Sequence, residues 1–295
     1  MTKGAGLEGA ARVGGGTTVV ADRAVRSLVQ NGYCVFRQVL AEPLLSELRT
    51  LSERLCAAEP AERRERRLSQ GTMLSTMVDP AYAELIAWAP ALERLADLGF
   101  DAPTFTDGYV ISKPPHSPRL FWHYDWFAWG DDSAYEPRPP QVFLMYYLTD
   151  TSPGNGCLRV IPGSHLAHNA LHDDIGNPHA ESLSRAEDLS LPAYSDRPDE
   201  VDVPVRAGDL VIGDARMLHA AHANGSDAWR TVITLWFQPD FAALPERVQA
   251  QMVRKTHPVP DTWPEAAAGK VRSLNPAYSG SAEAYGRDLY RPRSR

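Results

Sequence analysis

Residues 141–163, QVFLMYYLTDTSPGNGCLRVIPG, set two short apolar runs on either side of a cluster of Thr, Ser, Pro, Gly and Asn. The runs are QVFLMYYLTD (141–150) and GCLRVIPG (156–163). Segments of this length, rich in β-branched and aromatic residues and bounded by turn formers, read as strands. The same texture extends in both directions from here. FTDGYVISK (105–113) and RLFWHYDWF (119–127) precede it, and DVPVRAGDLVIGD (202–214) and RTVITLWFQ (230–238) follow. Repeated short strands with turn signals between them point to an all-β sandwich or a jelly-roll barrel.

Upstream of this core the pattern is helical. ADRAVRSLVQNGY (21–33) is a short amphipathic helix closed by Asn31-Gly32, and YCVFRQVL (33–40) is a strand candidate. In EPLLSELRTLSERL, Leu44, Leu48, Leu51 and Leu55 recur at helical spacing, with Pro43 suited to a first turn. Residues 80–98 form a further helical segment, with Leu85, Trp88, Leu92 and Leu95 as its buried stripe and Pro90 dividing it. The expected organisation is a flexible tail over 1–17 and a single domain over 18–254, its β-core at about 104–240. A helix at 244–253 closes that domain, and a wrapping tail follows over 255–295. The polar stretch 164–200 is too long for a hairpin loop, so it is expected to be a mobile, lid-like insert. Its histidines, His165, His168, His172 and His179, show no repeated ligand spacing.

Composition narrows the function. The 295-residue chain is 43% hydrophobic and 23% charged, values typical of soluble globular proteins. A net charge of −7 argues against broad electrostatic binding to nucleic acid or to an anionic membrane. The strongest basic cluster, RRERR at 63–67, reads as a solvated helix face or loop. No stretch approaches the roughly 18 apolar residues of a membrane span, and the start of the chain lacks the apolar core of a signal peptide. Cys34, Cys56 and Cys157 stand singly and are odd in number, which suits a reducing cytoplasm.

The chemistry centres on FWHYDWFAWG (121–130). Strand side chains alternate faces, so His123 and Asp125 project together while Trp122, Tyr124 and Trp126 face the other way. One imidazole and one carboxylate on a common face are two thirds of the two-histidine, one-carboxylate set that binds non-haem Fe(II). A third ligand must come from elsewhere. GDLVIGDARMLHAAHANGSDAWRTVITLWF (208–237) offers His219 and His222, together with Arg230, whose guanidinium suits a bidentate grip on a carboxylate.

These motifs, in order, resemble the phytanoyl-CoA dioxygenase family of Fe(II)- and 2-oxoglutarate-dependent oxygenases. GYCVFRQVL resembles the family's opening strand, ISKPP (111–115) the strand before the metal motif, and WHYD the W-H-x-D motif itself. TDTSPGNGCLRVIPGSH (149–165) is similar to T-x-x-N-G-x-L-x-V-I-P-G-S-H, and HAAHANGSDAWR to H-G-S-x-x-N-x-S-x-x-x-R. The resemblance implies a mainly β fold with flanking helices: a double-stranded β-helix, or cupin-like jelly roll, behind N-terminal helices. It also implies Fe(II), 2-oxoglutarate and O2 as cofactors, with ascorbate as a reductant. The metal set it implies is His123, Asp125 and His219. His219 lies five residues before Asn224, seven before Ser226 and eleven before Arg230, as the family ligand does, and His222 lies at the wrong distance.

By the same resemblance Arg230 holds the distal carboxylate of 2-oxoglutarate, with Lys113 and Gln141 as further cofactor contacts. The family's Ser two residues after the distal histidine is here Ala221, so the cosubstrate grip must differ or another hydroxyl, such as that of Thr231 or Tyr147, must substitute. Relatives that halogenate lack the carboxylate ligand, and the presence of Asp125 points to hydroxylation. Trp126, Phe127, Trp129 and Arg159 are expected substrate contacts. The expected function is oxidation of a C–H bond in a small molecule by a cytoplasmic monomer or homodimer, with release of succinate and CO2. An acyl-CoA substrate needs cations for its phosphates, and near the site only Lys113, Arg119, Arg138 and Arg159 are candidates. Two rivals are a non-catalytic jelly-roll binding protein, toward which Ala221 leans, and a metal-dependent hydrolase, which has no need of Arg230.

Overall fold

A computed structural model describes residues 15–292. Residues 1–14 of the expected tail lie outside the described residues, and helix α1 (Gly15–Asn31) begins within the span assigned to that tail. Gly32 stops α1 in the left-handed region, at φ +86°, and strand β1 (Tyr33–Phe36) follows directly. β1 is half the length expected. It ends where Gln38 turns to φ +52° and its backbone N–H donates to Asp209, tying this loop to a distant strand. α2 (Leu44–Ala57) buries Leu44, Leu48 and Leu51 as the leucine spacing requires. α3 (Ala61–Glu65) carries the arginine cluster on a largely exposed turn. After the two-residue strand β2 (Leu74–Ser75), α4 (Tyr82–Ile86) and α5 (Ala89–Asp97) are the two halves of the divided helix, with Pro90 in the first turn of α5.

The strands of the core are β3 (Thr104–Lys113), β4 (Leu120–His123), β5 (Val142–Tyr147) and β6 (Leu158–Val160). Two short helices, α6 (Leu171–Asp174) and α7 (Glu181–Ser184), interrupt the series. It resumes with β7 (Val201–Val203), β8 (Leu210–Asp214), β9 (His219–Ala221) and β10 (Arg230–Gln238). Helices α8 (Glu246–Lys255) and α9 (Glu265–Arg272) come last.

These strands pair antiparallel into two sheets, one in the order β1-β8-β5-β10-β3-β2 and the other β4-β9-β6-β7. The run at 202–214 is therefore two strands rather than one. Pro204 and the left-handed Gly208 turn the chain between them, and β7 and β8 lie in different sheets.

Side-chain alternation stacks these sheets into layers. Along β5, Val142, Leu144 and Tyr146 pack outward with α1, α2, α4, α5 and α9. Phe143, Met145 and Tyr147 pack inward against Leu158, Val160 and Val203 of the small sheet. Behind the small sheet, Trp122, Tyr124, Trp126, Phe127 and Trp129 form another core with Leu171, Leu183 and α8. The architecture is the expected double-stranded β-helix with flanking helices.

The C-terminal segment wraps this last layer. Asp288 exchanges backbone hydrogen bonds with Phe127 and Trp129, and buried Arg291 lies over the Trp129 ring, donating to the carbonyls of Ser164 and Leu166. All three cysteines are free and buried. Among the described residues no helix is long and apolar enough to cross a membrane.

Candidate active site

β4 and β9 pair so that His123 lies directly across from His219, with ring centroids 4.1 Å apart. Each ring is held by its own strand. His123 Nδ1 lies 3.0 Å from the Phe121 carbonyl, and His219 Nδ1 lies 3.0 Å from the Met217 carbonyl. A carbonyl only accepts, so each Nδ1 must carry a proton, which leaves Nε2 as the nitrogen turned toward the site. β4 ends at His123 because the amides of Asp125 and Trp126 both turn to the carbonyl of Ala215. Asp125 still reaches the same face. Its Oδ1 lies 3.8 Å from His123 Nε2 and its Oδ2 lies 3.8 Å from His219 Nε2.

The protonation states suit a cation. Burial, reinforced by His219, lowers the His123 pKa to about 3, so the ring is neutral. Burial alone would raise Asp125, but His219, His123, His179 and the Trp236 indole outweigh it and hold the carboxyl below its ordinary range. The indole Nε1–H of Trp236 donates to Asp125 Oδ2 at 2.9 Å. One carboxylate oxygen and two imidazole nitrogens, each oriented by a backbone carbonyl or an indole, fit Fe(II).

The same pocket contains an unpaired cation. Arg230 opens β10, is 5% exposed, and its Nε has no hydrogen-bond partner; among the described residues no carboxylate pairs with it. β10 points Val232, Thr234 and Trp236 into the pocket along with Arg230, and Ile111, Met145, Tyr147 and Leu158 complete the nearby wall. Gly156, at φ +88°, passes so close that a β-carbon there would stand 3.3 Å from Arg230 Nε. Asn224 and Ser226 build the turn between β9 and β10, where Asn224 Nδ2 donates to the carbonyls of Lys113, Pro114 and Ala228.

A sequence model of the phytanoyl-CoA dioxygenase (PhyH) family matches residues 28–232. The chain belongs to this family. It is therefore an Fe(II)- and 2-oxoglutarate-dependent oxygenase. Ectoine dioxygenase of Nocardia farcinica (strain IFM 10152) is 24% identical over 243 residues, covering 77% of this chain and 81% of that protein. Phytanoyl-CoA dioxygenase 1 of Oryza sativa subsp. japonica is 25% identical over 162 residues, 54% of this chain and 53% of the rice protein. Among solved structures, HygX from Streptomyces hygroscopicus with nickel and 2-oxoglutarate bound shares the fold at TM-score 0.57. It is 21% identical and covers 74% of this chain and 87% of its own. The epimerase SnoN from nogalamycin biosynthesis also aligns at TM-score 0.57 and 21% identity, covering 75% and 83%.

In this PhyH-family chain several expected contacts lie elsewhere. Lys113 pairs in register with Arg230, but its buried ammonium donates to the carbonyls of Ser69 and Pro118, at 2.6 and 2.5 Å. Burial, with Arg230 next to it, holds its pKa well below 10.5. Gln141 lies beyond the far end of β5 from Tyr147, its backbone bonded to Ala215, and does not line the pocket. Thr231 faces the opposite side of β10, bonded to Ser112 Oγ at 2.7 Å, so it cannot substitute for the missing serine. Tyr147 does line the pocket, and its hydroxyl makes only a 3.6 Å contact with Met145 sulfur.

Trp126, Phe127 and Trp129 are core rather than pocket, buried behind the small sheet under α8 and the C-terminal segment. Arg159 lies on the outer face of β6, over the Trp122 ring and paired with Glu200 and Asp196. The insert 164–200 is packed, with Leu171, His172, Ile175 and Leu183 buried. Its one pocket-lining residue is His179, whose ring lies 5.6 Å from that of His123, centroid to centroid, and whose Nε2 lies 2.9 Å from the Tyr124 carbonyl. Sequence reasoning missed Trp236, although six residues beyond Arg230 on a regular strand is the same face.

Proposed function

We propose that His123, Asp125 and His219 hold the Fe(II) and that Arg230, with the Tyr147 hydroxyl, grips the distal carboxylate of 2-oxoglutarate. The observation that carries this reading is the buried guanidinium without a counter-ion among the described residues, in the same pocket as the three preorganised donors. An isolated buried charge is costly unless a ligand of opposite sign completes it, and a guanidinium fits a carboxylate in two parallel hydrogen bonds. Iron and 2-oxoglutarate together supply the oxidant from O2, releasing succinate and CO2 and oxidising a substrate C–H bond. Ascorbate fits as the reductant that keeps the iron ferrous.

The chain's own share is geometric. The carbonyls of Phe121 and Met217 fix the imidazole tautomers, and Trp236 sets the carboxylate plane. Met73, Ile111, Phe121, Met145 and Leu158 keep water from the reacting face. That wall suits a small, largely apolar molecule. Coenzyme A phosphates would find no available cation among the four candidates. Lys113 is tied to carbonyls, Arg119 to Asp196, Arg159 to Glu200 and Arg138 to the Gly99 carbonyl. A hydroxylation of a compact metabolite in a reducing compartment is the function we infer.

The test is anaerobic titration of Fe(II) and 2-oxoglutarate into metal-free protein, followed by visible absorption. A weak charge-transfer band should need both additions and vanish in Asp125→Ala and His219→Ala. If metal binds but no band forms, 2-oxoglutarate does not chelate it and the proposed site is wrong. A band that survives His219→Ala but not His222→Ala would move the third ligand to His222.

A further inference from the structure

The small sheet carries a second set of donors on its outer face. Leu158 pairs with Val203 on one side and with Ala221 on the other, and these residues face the inner layer or the pocket. Their chain neighbours therefore face outward: Cys157 just before β6, Asp202 within β7 and His222 just after β9. The His222 amide donates to the Cys157 carbonyl at 3.0 Å, extending the ladder across these positions. One sulfur, one carboxylate oxygen and one imidazole nitrogen, from three adjacent strands, lie within 4.8 Å of one another. Cys157 is buried, whereas the side chains of Asp202 and His222 are 40% and 19% exposed, so solvent reaches the cluster from one side.

We propose that Cys157, Asp202 and His222 form a second metal site, distinct from the iron site, that takes a Zn(II)-class cation. The donor set decides the class. A thiolate, an imidazole and a carboxylate are the ligands of four-coordinate zinc, and the solvent side leaves the fourth position to water. A thiolate and a carboxylate together match a divalent charge, and the thiol gives up its proton to solvent as the metal binds. Two cations act on Cys157: Arg230 from the pocket side, and Arg159, which is already neutralised by Glu200 and Asp196. Without a metal, His222 and Asp202 form an ordinary pair at 2.6 Å, which opens slightly to admit an ion between them. The site lies one residue from Gly156, which packs against Arg230, and it ties β9, which carries His219, to β6 and β7.

Cobalt(II) distinguishes the two sites because only this one contains sulfur. Chelator-treated, reduced full-length protein titrated with Co(II) should bind two equivalents and develop an intense near-ultraviolet thiolate-to-cobalt charge-transfer band. One equivalent of Zn(II) should abolish the band. Cys157→Ser and His222→Ala should each lose the band and one equivalent, whereas Asp125→Ala should lose one equivalent and keep the band. His222 is partly exposed, so His222→Ala tests the site even if Cys157→Ser folds poorly. A wild-type protein that binds one equivalent with no band overturns the proposal, as does a band that survives Cys157→Ser.

Discussion

Replacing Arg230 by Met should make the protein more stable while removing its grip on 2-oxoglutarate. The guanidinium is 5% exposed, has an unsatisfied Nε and is paired with no carboxylate among the described residues; burial depresses its pKa. An unpaired buried ion costs several kcal/mol after relaxation, and an apolar side chain of similar length avoids that cost. Allowing for lost packing of the Arg stem, the gain is about 1–3 kcal/mol. At roughly 2–4 °C per kcal/mol for a chain of this size, Tm should rise by about 2–12 °C without cosubstrate.

Binding should move the opposite way. Losing a buried, bidentate, charge-assisted contact costs about 3–4 kcal/mol, or roughly 10²–10³-fold in 2-oxoglutarate affinity. Thermal melts with Mn(II) in place of iron, with and without 2-oxoglutarate, read both effects. At a hundred times its dissociation constant the ligand should stabilise wild type by about 2.7 kcal/mol and leave the variant nearly unmoved. A variant that melts below wild type without ligand would refute the reasoning, because the guanidinium would then have an internal partner that offsets its burial.

Trp236→Phe removes the indole donor to Asp125 and should weaken Mn(II) or Fe(II) binding by about 10–100-fold, measured by calorimetric titration; unchanged affinity would mean that Asp125 needs no orienting partner. Gly156→Ala forces a left-handed alanine against Arg230 and should cost about 1–2 kcal/mol in urea unfolding and weaken 2-oxoglutarate binding. Burial, followed by Arg291, lowers the pKa of His172 to about 3 from 6.5, so between those values the unfolded chain binds a proton that the folded one refuses. Stability therefore falls as pH drops through that window, by up to about 1.4 kcal/mol per pH unit from this group. His172→Phe should flatten the slope of unfolding free energy between pH 6 and 4, and equal slopes would exclude the role.

What was legible in the sequence was what alternation and local spacing encode. β10 spans the residues expected from its apolar run, and the shared face of His123 and Asp125 follows from period two even though the strand ends between them. β9 was invisible because three residues, His-Ala-Ala, are too few to show a period. The run at 202–214 looked continuous because both halves are β-like; the backbone turn at Pro204 and Gly208 outweighed that propensity. Trp126, Phe127 and Trp129 gave no sign of their fate, since the groups that cover them, Asp288 and Arg291, lie about 160 residues further along the chain. Lys113 misled for a related reason: its partners are backbone carbonyls, which leave no mark on sequence. Arg159 was readable, because a residue between two inward-facing ones must face out.

The register that sets His123 against His219 joins two strands of four and three residues whose histidines are about a hundred residues apart in the chain. Strands so short hold one another weakly. A cation gripped from both sides closes that span as a covalent bridge would, and a bridge over a loop of that length removes on the order of 4–5 kcal/mol of entropy from the unfolded chain. On the proposed ligand set, the metal would then be part of the enzyme's durability as well as of its chemistry. Iron starvation would loosen the small sheet and expose apoenzyme to proteolysis, so a cell's iron supply would set how much of this protein survives, and not only how fast each molecule works.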